Sequence, residues 1–244
     1  MHLNADFILL GNGGDPSSNL GRGVFNMKKS EQIEKSLKIL SKIYNSSEKT
    51  TLNRMRKKPD AFKILISCLL SLRTQDKNTE KASTKLYAVA DTPKEIVKLP
   101  IKKLEKLIFS SGHYKKKARI LQHVSKELIN RFDSKVPNTR KKLMSIKGIG
   151  PKTANIVLAF AFGKNVIPVD THVHRIPNRL GWIKTKTPEQ TEAELEKVLP
   201  KKHWREFNAI FVQFGQTICQ PISPWCSKCP INRYCPRISV NKYR

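Results

Sequence analysis

Apolar residues recur along this chain with the period of a helix. Phe62, Leu65, Ile66, Leu69 and Leu70 fall at i, i+3, i+4, i+7 and i+8, which is one face of an α-helix. Tyr114, Ala118, Leu121, Val124 and Leu128 mark a second amphipathic stretch, with Lys115, Lys116, Lys117 and Arg119 expected on its solvated face. Trp204, Phe207, Phe211 and Phe214 mark a third. Thr92-Pro93 and Thr187-Pro188 each pair a capping hydroxyl with a proline at the first helical position, which predicts two helix starts. No run alternates apolar and polar residues as a half-buried strand requires, and no repeat of fixed period appears. The pattern predicts an all-α fold.

Residues 1–26 break the pattern. Gly, Asn and Ser cluster there between Gly11 and Gly21, a composition that predicts a disordered tail. From Met27 the chain turns basic. Over 244 residues Lys and Arg number 47 against 19 Asp and Glu, a net charge of +28. So large an excess repels itself unless a polyanion is the partner, so nucleic acid is favoured over a merely solubilising surface. Cys68 stands alone in the apolar run Ile64–Leu70 and reads as a buried thiol. No disulfide framework is implied, which fits a reducing intracellular compartment. No apolar run approaches the roughly 20 residues of a membrane span, and the N-terminus lacks the pattern of a secretory signal.

Two further patterns carry chemistry. Cys219, Cys226, Cys229 and Cys235 form a C-x6-C-x2-C-x5-C array that can enclose one metal centre. Iron–sulfur clusters and structural zinc both use four cysteines, but zinc sites tend to pair two short knuckles, which the wide gaps here fit poorly. Upstream, Leu143-Met-Ser-Ile-Lys-Gly-Ile-Gly-Pro-Lys-Thr-Ala154 reads as two helices joined by a tight turn. Asn138-Thr139 can cap the first, which ends near Ser145; Pro151 opens the second, which runs to about Phe162. Two glycines permit positive φ and close backbone approach. The turn amides and the helix N-terminus then make an anion site suited to a DNA phosphate, with Lys147, Gly148, Ile149 and Gly150 as candidate contacts. Lys152, in the first turn, opposes the positive helix end by roughly 0.3–1 kcal/mol. That suits a Schiff-base nucleophile, although on the hairpin alone a phosphate-contacting lysine is an equal reading. Asp170, in Val169-Asp-Thr-His172, is expected to cap the next helix. It is either only a cap or a fixed negative charge facing a positive transition state.

Together these three motifs resemble the endonuclease III family, DNA glycosylases with AP-lyase activity in the helix-hairpin-helix superfamily. The likeness runs from about Met27 to Cys235. It implies two helical domains with DNA between them: a six-helix barrel over residues 54–164 holding the hairpin (138–162), and residues 27–53 plus 165–244 around a 4Fe-4S cluster on the four cysteines. It also implies that Lys152 is the Schiff-base lysine and Asp170 the catalytic aspartate. The expected substrate is double-stranded DNA carrying oxidised or ring-saturated pyrimidines, or abasic sites, acted on by an intracellular monomer. This sequence departs from the family pattern in places. Ser71-Leu-Arg-Thr-Gln-Asp76 puts Arg73 where the family places a gap-filling glutamine, with Gln75 two residues on; both are candidate DNA contacts. Gln220–Trp225 lacks the basic residues common between the first two cysteines, and His174 stands where many bacterial members have a bulky apolar residue. The alternatives are a monofunctional mismatch glycosylase, which usually lacks a lysine at 152, and a non-catalytic DNA-binding protein stapled by zinc.

Overall fold

The computed structural model describes residues 27–44, 55 and 59–244. The tail expected over residues 1–26 lies outside the described residues. Among the latter the chain forms α-helices and short 3-10 turns and no strand. The helices are α1 (Lys29–Tyr44), α2 (Ala61–Ser71), α3 (Asp76–Tyr87), α4 (Pro93–Lys98), α5 (Ile101–Leu107), α6 (Tyr114–Phe132), α7 (Arg140–Met144), α8 (Pro151–Ala161), α9 (Thr171–Arg179), α10 (Pro188–Val198) and α11 (Trp204–Thr217). Both Thr-Pro starts cap as the local chemistry dictates. Thr92 Oγ1 accepts from the Glu95 amide while the Glu95 carboxylate accepts from the Thr92 amide; Thr187 and Gln190 repeat the exchange. Each N-cap contributes about 1 kcal/mol. None of the helices is long and apolar enough to cross a membrane.

The apolar residues gather into two cores. One joins α2 to α8 and runs from Phe62 to Phe160. The other joins Ile33, Leu37, Leu40 and Tyr44 of α1 to residues from Ile167 to Tyr234. In it Phe207 and Phe211 stack at 4.0 Å, and Trp182 tilts against both. The chain passes from one core to the other between Phe160 and Ile167.

Two sequence readings change here. α2 is buried nearly all round rather than on one face, because α3, α6 and α8 all pack on it; Phe62 and every residue from Ile64 to Leu70 are covered. The solvated face expected for α6 holds Lys115, Lys116 and Arg119 but not Lys117. Lys117 follows Tyr114 by three positions and precedes Leu121 by four, which puts it on the apolar stripe. It is 6% exposed. Its ammonium donates to Leu70 O (2.6 Å), Ser111 O (2.6 Å) and Thr74 Oγ1 (2.7 Å). Buried charge is tolerable only where acceptors replace water, and these oxygens do so.

The hairpin joins α7 and α8. Thr139 Oγ1 caps α7 by accepting from the Lys142 amide, and the turn closes with Ile149 N donating to Ile146 O at 3.1 Å. Positive φ is needed at Gly148 alone (104°); Gly150 is extended at φ −90°. A Cβ at Gly148 would stand 3.0 Å from Ile120 Cγ2, whereas one at Gly150 would meet nothing within 4 Å. Gly148→Ala therefore combines backbone strain with a close contact, and we expect a loss of about 1–3 kcal/mol, seen as a lower Tm. Gly150→Ala should leave Tm within about 2 °C, less than the shift 1 kcal/mol produces, while weakening DNA binding if the bare turn is where a phosphate approaches. Equal Tm for both variants would refute the hairpin strain argument.

Candidate active site and cysteine cavity

Two helix N-termini meet at one pocket. α8 opens at Pro151, which needs no amide partner at that position, and puts Lys152 in the first turn. α9 opens on Asp170, whose Oδ1 accepts from the amides of His172 and Val173, both at 2.9 Å. Its Oδ2 is left facing Lys152 Nζ at 3.9 Å. The Asp170 side chain is 9% exposed and that of Lys152 41%. The carboxylate is thus fixed by the helix it caps, and the amine stays reachable from solvent. Burial holds the neighbouring His172 imidazole below its ordinary range, against the pull of Asp170 and with the cations of Arg175 and Lys152 adding to the effect. The ring therefore adds no charge to the pair.

The pocket, with a volume of about 340 Å³, is also lined by Asn155, Val169, His174 and Glu192. Glu192 is 7% exposed. Arg140 grips it through both oxygens at 2.6 and 3.0 Å, and Asn155 Nδ2 donates to it at 2.7 Å. This node ties α7, α8 and α10, so it links one core to the other. Losing one partner of such a buried pair strands the other charge. His174 reaches across to Thr191 Oγ1 at 2.6 Å. Sequence reading missed Asn155 and Glu192; the available signal was that Asn155 lies three residues after Lys152, on the same side of α8.

Cys219, Cys226, Cys229 and Cys235 line a single small apolar cavity, with Leu180, Phe214 and Ile218 in its wall. Burial pushes Cys229 up to about 12 and Cys235 up to about 11, and it raises Cys226 too. Four thiolates there need a strongly cationic partner. Among the described residues no three His, Cys, Asp or Glu side chains close on one point, as a single ion would require. Two arginines of α9 brace this region. Arg175 donates to Cys219 O at 2.7 Å, and Arg179 donates to Gln220 O and Pro221 O at 2.6 and 2.7 Å. Arg179 also comes within 3.6 Å of Cys219 Sγ. Both were missed in the sequence, though they fall four residues apart just after the Asp170 motif.

The remaining candidates lie around this centre. Lys147 is exposed on the hairpin, but the Ile149 side chain is 5% exposed and belongs to the first core. What Ile149 offers a ligand is its backbone neighbourhood, not its side chain. Arg73 and Gln75 are exposed on the loop between α2 and α3, Arg73 with φ of 52°. That loop starts one turn after Cys68, whose thiol meets the Thr153 hydroxyl next to Lys152.

This arrangement has close counterparts. The family model described as HhH-GPD superfamily base excision DNA repair protein matches residues 66–201. Endonuclease III of Thermotoga maritima is 47% identical over 182 residues, covering 75% of this chain and 85% of that protein. Endonuclease III-like protein 1 of Mus musculus is 38% identical over 178 residues, 72% of this chain and 59% of that protein. A solved trapped endonuclease III–DNA covalent intermediate superposes with a TM-score of 0.78 at 32% identity, covering 86% of this chain and 97% of that one. The chain belongs to the HhH-GPD superfamily of base excision DNA repair proteins and, within it, to the endonuclease III family of DNA glycosylases and AP lyases.

Proposed function

We propose that Lys152 is the nucleophile and Asp170 its charge partner in the release of damaged pyrimidines from duplex DNA. The observation that carries this reading is the 3.9 Å approach of a solvent-reachable amine to a helix-capping carboxylate on one pocket. The unprotonated amine attacks the sugar C1′; a C–N bond forms as the glycosidic bond breaks, and the base leaves with the bonding pair and takes up a proton. Asp170 accepts the proton from the attacking amine and balances the positive charge that develops on the sugar. Ring opening then gives an imine between Lys152 and C1′. The imine acidifies the C2′ proton; its loss expels the 3′ phosphate, and water finally releases the lysine.

The DNA would lie in the cleft between the two cores, taken here as domains over 54–164 and over 27–53 with 165–244. The bare Gly148–Gly150 turn and the N-terminus of α8 would hold a phosphate, and Lys147 would add charge. Arg73 and Gln75 would meet the opposite strand where the damaged nucleotide is extruded. The four cysteines suit a 4Fe-4S cluster: the donors are soft thiolates and all four line one apolar cavity. When bound, the cluster supplies a cross-link for the segment after α11. Arg175 and Arg179 hold that segment against α9.

Lys152→Gln should bind abasic-site DNA yet form no adduct on borohydride trapping. Asp170→Asn should keep the fold and the affinity while base release falls by roughly 100-fold or more. Measuring base release and strand scission separately on one thymine-glycol duplex tests both; wild-type base release by Lys152→Gln would make water the nucleophile.

Cys226→Ala should yield protein without iron–sulfur absorbance and with a lower Tm. A colourless variant of full stability and activity would refute the cross-linking role. Arg73→Ala should weaken lesion-duplex binding and shift the preference for the opposite base. A change in Tm alone would make Arg73 a structural residue.

A further inference from the structure

Two loops stand side by side on the first core, joined through Thr74 and Ser111. One runs from Leu72 to Gln75 between α2 and α3; the other runs from Phe109 to His113 ahead of α6. Both are bent sharply at residues other than glycine: Arg73 has φ of 52° and His113 of 47°. Phe109 is 65% exposed. Left-handed backbone at such residues persists only where the surroundings hold it. Here the hold comes from inside the barrel. Lys117 Nζ donates to Leu70 O at the end of α2, to Thr74 Oγ1 in the first loop and to Ser111 O in the second. The Thr74 hydroxyl in turn donates to Ser111 O, closing a ring of bonds between the loops.

We propose that Lys117 is a positioning residue for opening the duplex: its buried ammonium fixes the two loops to one another so that they press into the base stack as one rigid unit. The proposal rests on the reading that the Arg73 loop meets DNA. Several observations support it. Nothing in the apolar stripe of α6 requires a cation, since Tyr114, Ala118 and Leu121 fill the same stripe. The ammonium's three acceptors are oxygens of the α2 end and the two loops, and none is a carboxylate. Burial pushes this ammonium down to about 8, so keeping it is costly; the three acceptors oppose that cost and favour the charged form. Leu70 O is one of the last-turn carbonyls that α2 itself leaves without an amide, and Lys117 satisfies it at the point where the chain leaves for Arg73. Separating a base from its stack takes work, and a loop that yields on contact cannot do it.

The test compares one thymine-glycol lesion in two settings, a fully paired duplex and the same strand opposite an unpaired bubble where nothing has to be opened. In the full-length, cluster-loaded protein, Lys117→Met should lose roughly 10- to 100-fold in single-turnover base release on the paired duplex, the order of the unstacking penalty. In the bubble it should stay within about 3-fold of wild type, an effect too small to reflect lost lysine chemistry. Lys117→Arg, which keeps a buried donor, should recover part of the paired-duplex rate. Equal loss in both settings, or no loss in either, overturns the proposal. If Lys117→Met does not fold, Thr74→Val decides: a smaller loss confined to the paired duplex supports the proposal, and an equal effect in both settings overturns it. Failure of the underlying reading appears elsewhere, as wild-type protein that forms no borohydride adduct or as Arg73→Ala with unchanged DNA binding.

Discussion

Two helix N-termini aimed at one pocket are the constraint on which the rest of this structure depends. The positive end of α9 holds Asp170 through two amide bonds, so the carboxylate is fixed by backbone and not by a flexible partner. The positive end of α8 carries Lys152, a cation where the helix dipole does not favour one. The separation of 3.9 Å is long for an ion pair and leaves the amine free to turn toward a substrate. A tighter pair would stabilise the resting protein and hold the amine back from the pocket.

The local cap fixes Asp170, and the packing between the two cores brings α8 and α9 together. The Arg140–Glu192–Asn155 node joins α7 and α8 of one to α10 of the other, a few residues from Lys152 along α8. α9 extends the linkage. Asp170 caps one end of it, while Arg175 and Arg179, one and two turns on, hold the segment that begins at Cys219. The cysteine cavity and the Lys152–Asp170 pocket therefore lie at two ends of one short helix. A cluster bound at the far end would steady the carboxylate at the near end without taking part in any bond change.

Much of the fold was legible in the sequence because it rests on local physics. Helix period, the two Thr-Pro caps and the hairpin punctuation each act within a few residues, and the all-α fold and its helix starts follow from them. Lys152 and Asp170 could be named for a related reason: each stands at a helix start that its own neighbours specify. Local reasoning failed where one side chain had to be placed against distant chain. Two glycines permitted positive φ in the hairpin, but the turn uses it only at Gly148, where Ile120 of α6 also leaves no room for a Cβ.

Lys117 marks the limit most clearly. By residue type it is a surface cation, and by position it is on the apolar stripe of α6. The sequence reading set it on the solvated face, although its spacing from Tyr114 and Leu121 puts it on the stripe. Only the tertiary structure brought Leu70 O, Thr74 and Ser111 within reach and so decided that the charge could be buried. The same holds for Glu192, whose partners come from two other helices, and for α1, whose apolar face is completed by residues more than a hundred positions away. Periods and caps are properties of neighbouring residues. The partner of a buried charge is a property of the packed chain, because desolvation makes an unpaired charge costly and only the fold can supply the acceptor.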